Sequence, residues 1–308
     1  MSRPPLRLRL PATSANLGSG FDTLAISLKL YLEVDAREAE EFSIRAIGRG
    51  PEVCGSLERN LLLDVYRKTL AAHDREVIPL ALEVNNGIPL GMGCGSSAAV
   101  RLAGVALAVH FGGLGWSREQ ILDEATRLEG HPDNAVACWL GGFIAGCWDG
   151  AKVRAVSIPV PAAWQALLVL PEKPLATSAS RAILPASYER VDTVANLQRV
   201  AILTAAFASG RGDLLAEAMR DRLHQPYRSK ACPLLPRLLP LAGKEGILGV
   251  SLSGAGPGVL LLVESSTDME PLHARIREAV NGLGPVEILQ CESENQPAEM
   301  LPVVLPLS

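Results

Sequence analysis

The segment PLGMGCGSSAAV, residues 89–100, constrains this chain more than any other. Gly91, Gly93 and Gly95 alternate with bulkier residues, and Ser96 and Ser97 then open the run SSAAVRLAGVALAVHF. Glycines at that spacing allow positive φ and close backbone approach, and the alanine- and leucine-rich run favours a helix of several turns. The strand-like stretch LALEV stands just before, so the order is strand, glycine loop, helix N-terminus. Such a terminus offers unpaired backbone N–H groups and partial positive charge, and it binds phosphate without a lysine. A Walker A loop requires G-x-x-x-x-G-K-[ST] and a Rossmann turn G-x-G-x-x-G, and neither spacing fits. Taken alone, the loop is either an anion site or a structural turn, with Ser96 and Ser97 able to add hydroxyls to a phosphate or to Mg2+.

Strands and helices alternate irregularly elsewhere. LRLRLPA, the long stretch DTLAISLKLYLEVDARE and EFSIRAIG read as strands. Residues 60–74 read as a helix capped by Asn60, and Ser117 with Gln120 predicts a capping box for REQILDEATRLE, ending at Gly130. A further helix starts at HPDN, with Pro132 suited to its first turn. Asp149-Gly150 marks a hairpin, WQALLVLPE a buried strand, and ILGVSLSGAGPGVLLLV a strand, glycine turn and strand. VANLQRVAILTAAFASG, DLLAEAMRDRL and DMEPLHARIREAVNGLG predict helices, PVEILQCE a last strand, and the final few residues a loosely held tail. This order lacks the βαβα rhythm of a doubly wound sheet and favours α+β with two domains, joined near PVPAAW and divided as 1–160 and 161–308.

A chain of 308 residues buries a sizeable core. Its net charge of −4, without a Lys/Arg cluster, argues against nucleic-acid binding. The six cysteines are scattered with no C-x-x-C pair, which reads as thiols in a reducing compartment. No run is apolar and long enough to span a membrane and no signal-peptide core stands at the N-terminus, so a cytoplasmic protein is expected.

Three further segments hold chemistry-bearing residues. LPATSANLGSGFDTL, residues 10–24, gathers Thr13, Ser14, Asn16 and Asp22 around glycines; in isolation it reads as a turn, though a long one. EGHPDN, residues 129–134, sets Glu129, His131, Asp133 and Asn134 at a helix junction, where they serve either a Mg2+ and polar-substrate site or ordinary capping. SLSGAGPG, residues 251–258, is a second anion nest or a plain hairpin loop.

Four such segments in this order resemble the GHMP small-molecule kinases. PATSANLGSGFDTL and EGHPDN are similar to the forms found in the subfamily that phosphorylates homoserine, while IPLGMGCGSSAAV and LSGAGPG resemble motifs of the superfamily at large. The resemblance runs from about residue 8 to about 263. It implies a ribosomal-protein-S5-domain-2-like N-terminal domain, a ferredoxin-like C-terminal domain, and a homodimer. By it, the ATP-binding loop is Pro89, Leu90, Gly91, Met92, Gly93, Cys94, Gly95, Ser96, Ser97, Ala98 and Ala99, with Ser97 and Glu129 as Mg2+ ligands. ATSASRAILP and DRLHQPYR resemble the segments that supply arginines to an amino-acid carboxylate, here Arg181 and Arg228, while Asp22 answers the ammonium. Asn16, Asp133 and Asn134, with His131 and Gly254, are the remaining catalytic and substrate-binding positions, Asp133 binding substrate rather than acting as base. The implied reaction is transfer of the ATP γ-phosphoryl group to the side-chain hydroxyl of L-homoserine.

Three positions depart from the family pattern. Met92 and Cys94 stand where arginine and leucine are usual, in a loop that acts by its backbone, and Cys94 exposes that loop to thiol reagents if accessible. Gln225 stands where glutamate often precedes the proline, next to Arg228. The competing readings are a mevalonate- or sugar-type kinase, which has no ammonium to match Asp22, and a nucleotide-binding sensor that has lost transfer.

Overall fold

The structure, a computed structural model, describes residues 3–175 and 177–302. Strands β1 (Leu6–Ala15), β2 (Leu24–Glu38), β3 (Ser43–Gly48), β4 (Leu80–Asn86), β5 (Phe143–Trp148) and β6 (Val153–Ile158) form one sheet. Strands β7 (Trp164–Pro171), β8 (Ile247–Leu252), β9 (Val259–Glu264) and β10 (Val286–Cys291) form a second. The last described strand, β11 (Glu299–Pro302), returns to the first sheet and pairs antiparallel with β1.

In the first sheet the long strand β2 is the axis. It pairs with β1 along its length, with β5 through Leu24–Ile26 and with β4 through Leu32–Glu38. The second sheet has the order β10-β7-β9-β8, every pair antiparallel. Within that sheet the order is fourth, first, third, second, with helices linking first to second and third to fourth. That is the ferredoxin-like arrangement.

Both faces of the second sheet are buried, which explains the unbroken apolar run of β7. Ala166, Leu168 and Leu170 pack into the main core, while Leu167 and Val169 face a smaller core under the helices Leu234–Leu238 and Met269–Ala279. Alternate residues of a strand point to opposite faces, so a strand covered on both sides must be apolar throughout. The helix Ser96–Gly112 is buried on nearly every side, which suits its alanine-rich composition. Asn60 caps the helix Leu61–Ala71 through Leu63 N. Ser117 and Gln120 close the expected capping box of Arg118–Glu129, a contribution of about 1 kcal/mol.

The sequence reading differs from the structure in several short elements, the helices Pro51–Cys54, Thr177–Ala182 and Gln225–Arg228 among those not anticipated. The helix expected over 213–223 is a 3-10 turn, Gly212–Leu214, and one α-turn, Leu215–Ala218. Beyond it the Asp221 carboxylate accepts from the amides of Leu223, His224 and Gln225, and those bonds stop the helix and turn the chain. The proline-flanked helix Leu234–Leu238 and strand β11 were not anticipated, because prolines interrupt both patterns. Of the expected tail, residues 303–308 lie outside the described residues.

Candidate active site

The loop between β4 and the helix Ser96–Gly112 is held by its carbonyls. Gly91 O accepts from Leu175 N at 3.0 Å, Met92 O from Gly258 N at 3.3 Å and Cys94 O from Thr13 N at 3.1 Å. Gly93 O accepts from Ser253 Oγ at 2.8 Å. Gly91, Gly93 and Gly95 all have positive φ, which turns successive peptides so that these carbonyls face the protein. The amides from Gly91 to Ala98 are left without a partner among the described residues. A row of free amides at a helix N-terminus is what an oligophosphate requires.

Beside the loop, Ser97 Oγ donates to Glu129 Oε1 at 2.8 Å, and Arg101 holds Oε2 of the same carboxylate. Glu129 ends its helix, and the chain turns through Gly130, at φ 87°, directly into the helix Asp133–Leu140. This turn brings His131 and Asp133 together, with Nδ1 to Oδ1 at 2.6 Å. Asp133 Oδ1 also accepts from Asn134 N at 2.8 Å, while Oδ2 has no partner among the described residues. Burial opposes protonation of His131, but the bond to Asp133 and the charges of Asp133, Asp22 and Glu129 outweigh it and raise its pKa above the usual imidazole value.

The β1–β2 turn is built on left-handed residues, Asn16 at φ 71° and Asp22 at φ 53°. Asn16 ties it together, donating to Gly254 O at 2.8 Å and accepting from Asp22 N at 3.0 Å. Asp22 is then bound by Arg181 through two parallel bonds of 2.9 and 2.7 Å. Arg228 lies across the same space, buried to 1% exposure, donating from Nε to Ser180 O at 3.2 Å and meeting His224 Nδ1 at 3.1 Å. Gln225 accepts from Leu252 N at 2.8 Å and so anchors the turn carrying Arg228 to β8.

These groups line one cavity of about 240 Å³. Asn16, Asp22, His131, Asp133, Asn134, Arg181, Arg228, Gly254, Glu129 and the loop residues Gly91, Gly93, Cys94, Gly95, Ser96 and Ser97 are all at its wall. Ala98 and Ala99 are buried in the helix instead. Pro89, Leu90 and Met92 line a second groove, of about 540 Å³, behind the loop, together with Val53, Leu170 and Val286. A larger hollow of about 760 Å³, walled by Leu235, Pro236, Leu239 and Pro240, also carries Glu217, Arg220 and Asp221, but it lies away from the glycine loop.

Sequence reading did not single out as site residues Thr13, which donates to Asn134 Oδ1 at 2.7 Å, or Arg101, or His224. Arg101 was findable, since it follows Ser97 by four residues on one helix face. Nothing local marked His224. Cys94 is 1% exposed and its thiol pKa is pushed up to about 12, chiefly by burial, so the expected reactivity of the loop does not arise.

Residues 60–142 match the family described as GHMP kinases N terminal domain, and residues 203–282 that described as GHMP kinases C terminal. The fold extends across the superfamily, since L. major mevalonate kinase superposes with a TM-score of 0.67 at 15% identity, over 96% of this chain and 99% of that one. The protein is therefore a two-domain GHMP-type kinase. A homoserine kinase of Solibacter usitatus is 45% identical over 261 residues, 83% of this chain and 84% of the relative. That of Deinococcus radiodurans is 38% identical over 92% of this chain and 94% of its own. The crystal structure of homoserine kinase from Cytophaga hutchinsonii superposes with a TM-score of 0.78 at 25% identity, covering 97% of this chain and 98% of that one. Within the GHMP kinases, this chain belongs to the homoserine kinase family.

Proposed function

We infer that the protein transfers the γ-phosphoryl group of ATP to the side-chain hydroxyl of L-homoserine, giving O-phospho-L-homoserine for threonine biosynthesis. The observation that carries this reading is the meeting, in one small cavity, of a free-amide loop with a carboxylate and two guanidiniums. The first suits a triphosphate and the second the two charges of an amino acid.

In this reading the amides of Gly91 to Ala98 hold the β- and γ-phosphates, and the apolar groove of Leu90, Met92, Val53 and Leu170 receives the nucleoside. Arg181 and Arg228 bind the α-carboxylate and Asp22 the ammonium. Asn134 and His131 fix Asp133 so that its free Oδ2 orients the hydroxyl for in-line attack. Phosphoryl transfer asks mainly for alignment and charge neutralisation, so Asp133 acts here by positioning rather than as an obligatory base.

Ser97 and Glu129 supply adjacent oxygen donors and fit a magnesium ion. Asp22, His131 and Asp133 also lie within ligating reach of one another, but an imidazole suits magnesium poorly. When bound, the ion would supply neutralisation of phosphate charge, held by Ser97 and Glu129. The homodimer, the cytoplasmic location, the division near residue 160 and the absence of a nucleic-acid partner belong to the same reading. Six free cysteines and a net charge of −4 support it, and among the described residues no helix is long and apolar enough to cross a membrane.

The test is coupled ADP release with Mg-ATP against L-homoserine, D-homoserine, mevalonate and galactose. Turnover on L-homoserine alone is expected. ATP binding with no ADP from any acceptor would sink the reading in favour of a sensor.

A further inference from the structure

In this structure the site's own charges satisfy each other. Arg181 grips Asp22 from both ends of the guanidinium, at 2.9 and 2.7 Å, in the geometry a substrate carboxylate would take. Arg181 is 40% and Asp22 29% exposed, so the pair sits at the mouth of the cavity and can part without disturbing a core. Arg228 is different. It is buried, and it has no carboxylate partner among the described residues. Its NH1 meets Nδ1 of His224, whose Nε2 lies 2.8 Å from Gly18 O. A carbonyl can only accept, so Nε2 holds the proton, Nδ1 is the acceptor and the ring is neutral. Phe21 is near both arginines, its ring centre 5.6 Å from Arg181 Cζ and 5.4 Å from Arg228 Cζ. One cation is thus held open for an anion, while the other is engaged.

We propose that the Asp22–Arg181 ion pair is an exchange gate, which closes the amino-acid site and yields to a ligand that brings an ammonium and a carboxylate together. The proposal rests on the assignment of Asp22 and Arg181 to the two charges of the substrate. The carboxylate binds Arg228 and draws Arg181 from Asp22, while the ammonium takes the place Arg181 leaves. One internal pair becomes two intermolecular pairs, and no charge is stranded. A ligand with the carboxylate alone must compete with Asp22 for Arg181, and one with the ammonium alone must compete with Arg181 for Asp22. Rejection of both is then a property of the empty site, added to any contact they fail to make.

The gate predicts a gain of binding on removing one of its halves. Asp22→Asn keeps the positive φ that asparagine tolerates and removes the charge that holds Arg181. It should tighten binding of 4-hydroxybutyrate, which is homoserine without its ammonium, by about fivefold, the upper range for a partly exposed pair. Arg181→Met should tighten 3-aminopropan-1-ol, which lacks the carboxylate, by a similar factor, and each variant should weaken L-homoserine. Ligand-observed NMR titration of the full chain reads all three. If Asp22 only contacts the ammonium, Asp22→Asn leaves 4-hydroxybutyrate unchanged, and that result with normal wild-type turnover of L-homoserine overturns the gate alone. No ADP release from L-homoserine by the wild-type protein would overturn the functional reading and the gate with it. Should Asp22→Asn fail to fold, the Arg181→Met arm decides by the same logic.

Discussion

Gly93→Ala tests the claim that the phosphate loop acts through a backbone clamped between the two halves of the chain. Gly93 has φ +78°, and a Cβ there would lie 2.0 Å from Ser253 O and 3.1 Å from Gly256 O. Left-handed backbone costs an alanine about 1–2 kcal/mol. The clash is with main chain, so no rotamer change relieves it. The two loops must part, and the bond from Ser253 Oγ to Gly93 O is the first lost, at about 1 kcal/mol. Together about 2–3 kcal/mol falls on the ordering of the loop, which corresponds to a rise of about 30- to 150-fold in KM for ATP. Gly115→Ala is the control. Gly115 has φ +69° but nothing within 4 Å of an added Cβ, so it carries the conformational cost without the clash. It should lower Tm by a few degrees and leave KM for ATP unchanged. Coupled ADP release gives KM, and thermal melting by circular dichroism gives Tm. A Gly93→Ala enzyme with wild-type KM for ATP would refute the clamp.

Arg228→Met should raise KM for L-homoserine about 100-fold through loss of charge-assisted bonds, yet hold or raise Tm, because a buried cation with no carboxylate in ion-pair contact among the described residues costs more than a thioether. A large fall in Tm would mean that Arg228 serves the fold. Burial holds the pKa of His224 below its usual value, reinforced by Arg228 and opposed by Asp221. The unfolded chain takes up that proton near pH 6.5 and the folded chain resists, so stability falls as pH drops below about 6.5 and flattens once the folded form also protonates. Urea unfolding between pH 7.5 and 5 should show this slope in the wild type and a reduced one in His224→Asn; equal slopes would discard the assignment. Iodoacetamide at pH 7.5 should label the exposed Cys147 and spare the buried Cys94 with activity intact, as peptide mass spectrometry would show. Modification of Cys94 at the rate of Cys147, with loss of activity, would contradict the packing of the loop.

Much of this protein is written in local signals. The caps at Asn60 and Ser117, the helix from Ser96 and the alternating glycines each depend on backbone groups within a few residues, and those are legible in a linear chain. The loop's row of amides at a helix N-terminus follows from the same short-range rules, and the unbroken apolar run of β7 already implied a strand covered on both faces. The failures were local too. Residues 213–223 have helical composition, but Asp221 spends its carboxylate on three amides ahead of it, and composition does not report which acceptor a backbone will choose.

What tertiary structure decided is who meets whom. Arg181 reaches Asp22 across 159 residues, Thr13 reaches Asn134 across 121, and His224 reaches Gly18 across 206. Motif resemblance named several of these residues, yet it could not say that Asp22 and Arg181 engage each other, that Asn16 is tied up in shaping its own turn, or that Arg228 has no carboxylate in ion-pair contact among the described residues. Charges and hydrogen bonds between distant segments depend on the order and register in which strands pair. That order emerges only when the whole chain buries its apolar faces at once.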